Sequence, residues 1–414
     1  MNPKKVCTWL GPVFASYRFP YRLCAKGLPV LTCDLIRVEN LSPCDQTIWQ
    51  NMIDATEAFQ SPVQSPAFIR AVALVRDDVF IAVYRRDGET IGFLPHHRRP
   101  NRFARPVGAP FADYSALITF PDTDLKARDA LAAARIDRYQ AIGLIDPYGV
   151  FGDVDGTDDV GYGIDLGSGE PINTVTKKHS KNINRHRRNL IAAHGEITFR
   201  LSEFDREHYE RMLNLKRRQL AQNGLHNFLD APWASSLLEQ LFDAPREDLH
   251  GSLLVMMVGD APVMFHYGLR YGDRMHPWVS SFDPAFGEFS PGQIFLCDAP
   301  AVLKAAGVRY YDLSTGQTHY KSSFCNTQFP VRHARIYGGS ASAHLSERLA
   351  HLTSHVQKSM DRYRIGRGVA NALTRLNRRV DQIACLELDF AGRAKGVAHA
   401  FANARRRIGG GHTD

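Results

Sequence analysis

Apolar and polar positions alternate along this chain with two periods, and glycine, proline or a small polar residue marks each change. The clearest stretch runs from Met275 to Phe324. Met275 to Phe282 is β-rich and stops at Asp283-Pro284. Ser290-Pro291-Gly292 then offers a helix N-cap, a proline suited to the first helical position, and a small residue that permits close approach. Ile294, Leu296, Ala301, Val302 and Ala305 follow at near-helical spacing until Gly307, after which Val308 to Leu313 returns as a strand. The stretch is a strand-loop-helix-strand unit.

The same patterning predicts helices at Asp205 to Asn223 and Trp233 to Leu241, and strands at Ser252 to Val258, Val263 to Arg270 and Pro330 to Tyr337. Gly259-Asp260 turns one hairpin. Upstream, Leu35 to Val38 predicts a strand, and Ser42-Pro43 and Ser65-Pro66 open two helices. A hairpin through Asp87-Gly88 joins Val79 to Tyr84 with Thr90 to Pro95. A strand at Ser115 to Phe120, a helix at Asp124 to Arg135 and a strand at Gln140 to Ile145 follow. The two series run in one order with different side chains, which predicts a duplicated architecture. Between them, residues 146–176 are rich in Gly and Asp and read as a loop-rich connector; no calcium-loop pattern occurs there.

Composition changes this picture at the ends. With 414 residues, 44% hydrophobic and 23% charged, the chain reads as a soluble protein with a large core. The net charge of +8 comes mostly from residues 340–414, where 13 Lys and Arg face 6 Asp and Glu. That leaves a nearly neutral body and no general nucleic-acid signal. Amphipathic stretches at His344 to Arg362 and Val369 to Leu386 predict a basic helical extension with a disordered end. It packs on the body, binds a partner or lies on an anionic membrane. Residues 1–30 carry four prolines and read as an irregular arm. The seven dispersed cysteines suit reduced thiols and lack zinc spacing, and no apolar run is long enough to span a membrane. A cytoplasmic protein without a metal is expected.

Two features carry candidate chemistry. The start of the helix at Ser290-Pro291-Gly292-Gln293 is either an ordinary capped terminus or an anion site built from free backbone N–H groups. Lys177 to Arg188 holds six basic residues and no acid. Lys178, Lys181 and Arg185 share a helical face, as a solvated surface or as an anion clamp. Serine-hydrolase, Walker and Rossmann signatures are absent.

Asp283-Pro284, Ser290-Pro291-Gly292, Asp312, Gly316, Tyr320-Lys321 and Phe324, set in this order of elements, resemble the GNAT acyltransferase superfamily. More narrowly they resemble its CelD-like branch, associated with bacterial exopolysaccharide synthesis and sharing architecture with the Fem peptidoglycan transferases. The resemblance spans about residues 30 to 340. It departs from the general GNAT phosphate loop, which has a longer glycine signature than the single Gly292 here.

The resemblance implies an α/β (α+β) fold of two tandem GNAT-like halves, with mixed, mostly antiparallel sheets flanked by helices. Residues 31–150 would be a non-catalytic half, 151–190 the connector and basic helix, 191–339 the donor-binding half, and 340–414 the extension. It implies acetyl-CoA or another acyl-CoA as donor, held at Ser290, Pro291, Gly292 and Gln293, and direct attack by the acceptor's amine or hydroxyl. Asp312, His266 and Lys321 are the catalytic candidates; Asp312 otherwise orients its loop, His266 otherwise sits in the core, and Lys321 otherwise lies on the surface. Lys178, Lys181, Arg185, Asp283 and Tyr320 are candidate substrate contacts. The acceptor would be a sugar or nucleotide-sugar of cell-surface polysaccharide synthesis, with a partner protein of that pathway and no DNA. The alternatives are a Fem-like transferase using aminoacyl-tRNA and a non-catalytic scaffold.

Overall fold

The computed structural model describes residues 30–170, 176–201, 205–223, 227–316 and 321–341, with isolated positions from 343 to 398. The chain divides into two compact units, Met1–Val30 and Leu31–Asp414, and the fold below is that of the second. The N-terminal arm lies outside the described residues, as does nearly all of the C-terminal extension.

The first series comprises β1 (Leu31–Ile36), α1 (Pro43–Asp54), α2 (Pro66–Ala73), β2 (Val79–Arg86), β3 (Glu89–Arg99), β4 (Phe103–Arg105), β5 (Ile118–Thr119), α3 (Ala127–Ala133), β6 (Arg138–Leu144) and β7 (Gly156–Asp165). The second comprises α4 (Lys177–His194), β8 (Ile197–Leu201), α5 (Arg206–Gln222), α6 (Pro232–Phe242), β9 (His250–Val258), β10 (Ala261–Tyr271), β11 (Arg274–Phe282), α7 (Pro291–Ala305), β12 (Tyr310–Thr315) and β13 (Thr327–Tyr337). Ser42 and Ser65 cap α1 and α2 by accepting from Asp45 and Phe68 backbone N–H groups, as their Ser-Pro signatures predict.

One mixed sheet joins everything, in the order β1-β2-β3-β4-β6-β13-β7-β12-β11-β10-β9-β8, with β5 paired to β3. Matching β1 to β8, β2 to β9, β3 to β10, β4 to β11, β6 to β12 and β13 to β7 makes this order a palindrome. Each series therefore builds the same sheet, and the last strand of each lies on the side of the other. β13 pairs with β6, and β7 pairs with β12. The parallel pairs fall at corresponding places, β4 with β6 and β11 with β12; the rest of the named ladders are antiparallel.

β7 corrects the reading of residues 146–176 as a connector. Its glycines suggest a loop, yet they are demanded by neighbours: a Cβ at Gly161 would run into the Phe329 ring and one at Gly163 into the Tyr310 hydroxyl. Aromatic side chains of the flanking strands cross β7 where it has no side chain. Ile164, on the same strand, is fully buried.

The core beside α7 explains its placement. Ile294, Phe295, Ala299 and Leu303 are fully buried against Met275, Val263 and Tyr311. On the other face of the sheet, α5 and α6 cover Val255, Phe265, Tyr267 and Val279. Alternate residues of the central strands thus serve two different layers.

Candidate active site between two parting strands

β11 and β12 pair only at Arg274–Tyr310 and Met275–Tyr311. Beyond that point the strands part, and the gap opens toward the N-terminus of α7, which follows β11. β11 is also bulged there: Trp278 is the extra residue between Val279, opposite Tyr267, and Pro277, opposite Gly268. A bulge takes its residue out of the ladder and re-aims the strand.

At the wide end, Ser290 corrects one expectation. It occupies the N-cap position, but with left-handed backbone (φ 51°, ψ 55°) and no side-chain cap bond. No acid lies in the first turn. A Cβ built at Gly292 would meet only the terminal methyl of Met264, at 3.8 Å, so neither packing nor backbone conformation requires glycine there. Gln293 is tied by its side chain to His179 of α4, 3.1 Å away. A second tie, Arg187 to Asp298 at 2.5 Å, docks α4 along α7.

That docking gives the basic run a place. Thr176 caps α4 by accepting from the His179 N–H. Lys178, Lys181 and Arg185 line one broad, open hollow with Thr176, His179 and Asn182. Of the residues lining this hollow, His179 is the one tied to the α7 N-terminus, through Gln293. Asp283 is occupied: it accepts from the Ala285 N–H (3.0 Å) and pairs with Arg211 (2.8 Å), which fixes the turn before α7. Tyr320 lies outside the described residues.

At the narrow end stands Asp312, the first β12 residue past the last paired position. It is 4% exposed, and its Oδ1 accepts from the Tyr114 hydroxyl (2.8 Å) and the Ser314 N–H (2.6 Å). Its Oδ2 faces His276 Nδ1 at 3.8 Å. Tyr114 comes from the segment between β4 and β5, in the other series. From that segment Asp113 also reaches in, its Oδ2 3.0 Å from His276 Nε2 and 2.7 Å from the Ser314 hydroxyl, which donates to it. Ser314 can reach both carboxylates because the pairing of β12 with β7 slips between Asp312 and Thr315, and Ser314 takes a left-handed turn (φ 66°).

Electrostatics follow from burial. Burial pushes the Asp312 carboxyl above its ordinary range, against the pull of His276, the Ser314 N–H and Tyr114. Burial lowers His276 too, but Asp312 and the bond to Asp113 outweigh it and leave the imidazole above its ordinary value. Lys321 donates to the Thr315 carbonyl (2.6 Å), and burial depresses its ammonium despite the nearby Asp113, Asp312 and Asp159. Asp312 and Lys321 therefore share one site.

His266 does not join them. It bonds to the Tyr311 hydroxyl and packs on Phe295, ring centroids 4.3 Å apart. Tyr311 and Asp312 are successive strand residues and point to opposite faces. Burial, with Lys216 nearby, pulls the His266 imidazole down to about 3, so it is neutral at physiological pH.

A pocket of about 370 Å³ opens onto Asp312 from the side of the first series. Tyr114, Tyr310 and Phe329 form aromatic walls, and Glu57 and Arg274 stand among its polar residues. Patterning missed this pocket and Asp113, Tyr114 and His276, because Tyr114 and Asp312 lie 198 residues apart and nothing local in either series marks their meeting.

Comparison with known proteins bears on this geometry. Residues 177–322 match the profile of a family described as "Acetyltransferase (GNAT) domain". The matched segment runs from the first residue of α4 through α7 and β12 to Ser322. No curated protein matches the chain. Among solved structures, FemX is similar at 10% identity, with 69% of this chain and 94% of that chain covered and a TM-score of 0.43. A tandem GNAT protein from the clavulanic acid biosynthesis pathway aligns at 11% identity over 75% of this chain and 100% of that chain, TM-score 0.42. A GCN5-related N-acetyltransferase from Sphaerobacter thermophilus aligns at 10% identity over 76% and 98%, TM-score 0.35. The profile match is confined to residues 177–322, and it supports an acyltransferase domain over that segment.

Proposed function

We propose that the protein transfers an acyl group from acyl-CoA to an amine or hydroxyl at Asp312, with the donor in the gap between β11 and β12 and the acceptor in the pocket between the two series. The observation that carries this reading is the position of Asp312: it stands where two parallel strands part, and the pocket reaches it from the other side. The residues at the wide end suit the donor. An uncapped helix start without an acid, a glycine whose missing side chain leaves open space, and the basic face of α4 favour phosphate groups.

Bound acyl-CoA supplies an activated thioester whose acyl carbon passes to the acceptor as its bond to sulfur breaks. The chain's residues do the rest. The bulge at Trp278 frees backbone groups to polarise the acyl carbonyl. Asp312, held at Oδ1 by Tyr114 and Ser314, keeps Oδ2 for the proton that the acceptor loses. The aromatic walls hold the acceptor's ring against that oxygen. The resemblance to the CelD-like branch supports a sugar or nucleotide-sugar acceptor of cell-surface polysaccharide synthesis.

Calorimetric titration with acetyl-CoA and a longer acyl-CoA tests the donor site. Saturable binding is expected in the native chain, and Gly292→Glu should abolish it while circular dichroism is unchanged, because the carboxylate fills the anion position. Equal binding by the variant would rule out the α7 terminus.

A further inference from the structure

Asp312 is a buried carboxylate, and burial favours its protonated, inert form. If it takes a proton during transfer, something must keep it ionised beforehand. Tyr114 and the Ser314 N–H stabilise the charge through Oδ1. Neither carries a formal charge. His276, fully buried on β11, brings its Nδ1 to 3.8 Å from Asp312 Oδ2.

His276 is itself held from behind. Its Nε2 meets Asp113 Oδ2 at 3.0 Å, and Asp113 is fixed by the Ser314 hydroxyl. The Tyr114 ring packs over it, ring centroids 5.5 Å apart. Nδ1 has no hydrogen-bond partner among the described residues, although it is buried. A buried imidazole nitrogen aimed between ion-pair and bonding distance of a carboxylate, with its other nitrogen bonded to a second carboxylate, is arranged to carry a proton on both nitrogens. The charged groups facing it are Asp113 and Asp312, which favour the imidazolium, and Lys321, which opposes it.

We propose that His276 is a positioning residue for acyl transfer: with Asp113, which the first series supplies, it holds Asp312 as an oriented carboxylate before the acceptor arrives. The series without the donor terminus thereby takes part in the chemistry of the other. This rests on the reading of Asp312 as the proton acceptor.

The test separates the two claims. In ¹⁵N-histidine spectra of the protein without ligands, the His276 imidazolium should titrate above the ordinary histidine value. Asp113→Asn should move that midpoint down by about one unit or more, an opposite charge at this range being worth about one to three. In transfer kinetics, His276→Gln should shift the acid limb of the pH–rate profile upward by a similar amount. Asp312→Asn should remove most activity at every pH. If Asp312→Asn is inactive but His276→Gln leaves the acid limb in place, the role of His276 is overturned and that of Asp312 stands. If Asp312→Asn is fully active, both fall. An imidazole that titrates at or below the ordinary value, indifferent to Asp113→Asn, overturns the proposal without reference to activity.

Discussion

At the scale of single residues, the site depends on how the two oxygens of Asp312 are shared. Oδ1 has two donors, and among the described residues Oδ2 faces a more distant imidazole. Tyr114→Phe removes one donor from a buried carboxylate, a loss of about 1–3 kcal/mol. The expected result is a turnover lower by about tenfold, with acyl-CoA affinity unchanged in calorimetry; unchanged turnover would leave the hydroxyl a packing contact.

A second cluster acts on stability. Asp78 accepts from Arg76 (2.7 Å) and Arg99 (3.2 Å) and binds His97 Nδ1 (2.8 Å), while His97 Nε2 accepts the Gly108 N–H at 2.9 Å. His97 thus anchors the segment that delivers Asp113 and Tyr114. Burial raises the Asp78 carboxyl, but the bonds from His97 and Arg76 outweigh it and hold the group well below the usual range. Burial lowers His97. Both depressed values give stability that is present above the unfolded-state pKa and lost as pH falls, for Asp78 below about pH 4. Asp78→Asn should cost about 3 kcal/mol at neutral pH and flatten the acid limb of urea-monitored stability. An acid limb as steep as the native one would place the acid sensitivity elsewhere.

At the scale of elements, the proposed donor end draws on α4 and α7 together. Replacing Lys178, Lys181 and Arg185 by Gln should weaken acyl-CoA binding about tenfold at low salt and less near 0.15 M, where exposed charges are screened. A loss that does not depend on salt would point to misfolding of α4, visible by circular dichroism.

Most elements were legible because periodicity and punctuation agree. α1 and α2 start at their Ser-Pro pairs, and α7 starts at Pro291. β7 was not, since its glycines answer to Phe329 and Tyr310, distant residues that only the folded sheet brings across it. The Ser290 cap failed for a related reason: the turn from the Asp283-capped segment drives Ser290 into left-handed backbone and takes its side chain off the helix end.

At the scale of the whole molecule, the palindromic sheet makes the two series interdependent. β13 lies between β6 and β7, and β7 lies between β13 and β12. A polypeptide ending after β7 would expose the open edge of β6, and one starting at α4 would lack the strand between β12 and β13. Expressed separately, residues 31–170 and 176–341 should be insoluble or unfolded, and co-expression should rescue both. A soluble, cooperatively unfolding piece would show that each series closes its own sheet. Asp312 and Lys321 were visible in the sequence as candidates; their partners Tyr114, Asp113 and His276 were not, because the crossing of the series creates that contact.

The central claim is that the donor lies between the parting strands with its reactive end at Asp312. A crystal structure of the complex with CoA tests it most directly. The account predicts phosphates at the Gly292 N–H and the basic face of α4, the pantetheine arm between β11 and β12, and sulfur beside Asp312. CoA found in the pocket walled by Tyr114 and Phe329, or against the first series, would contradict it.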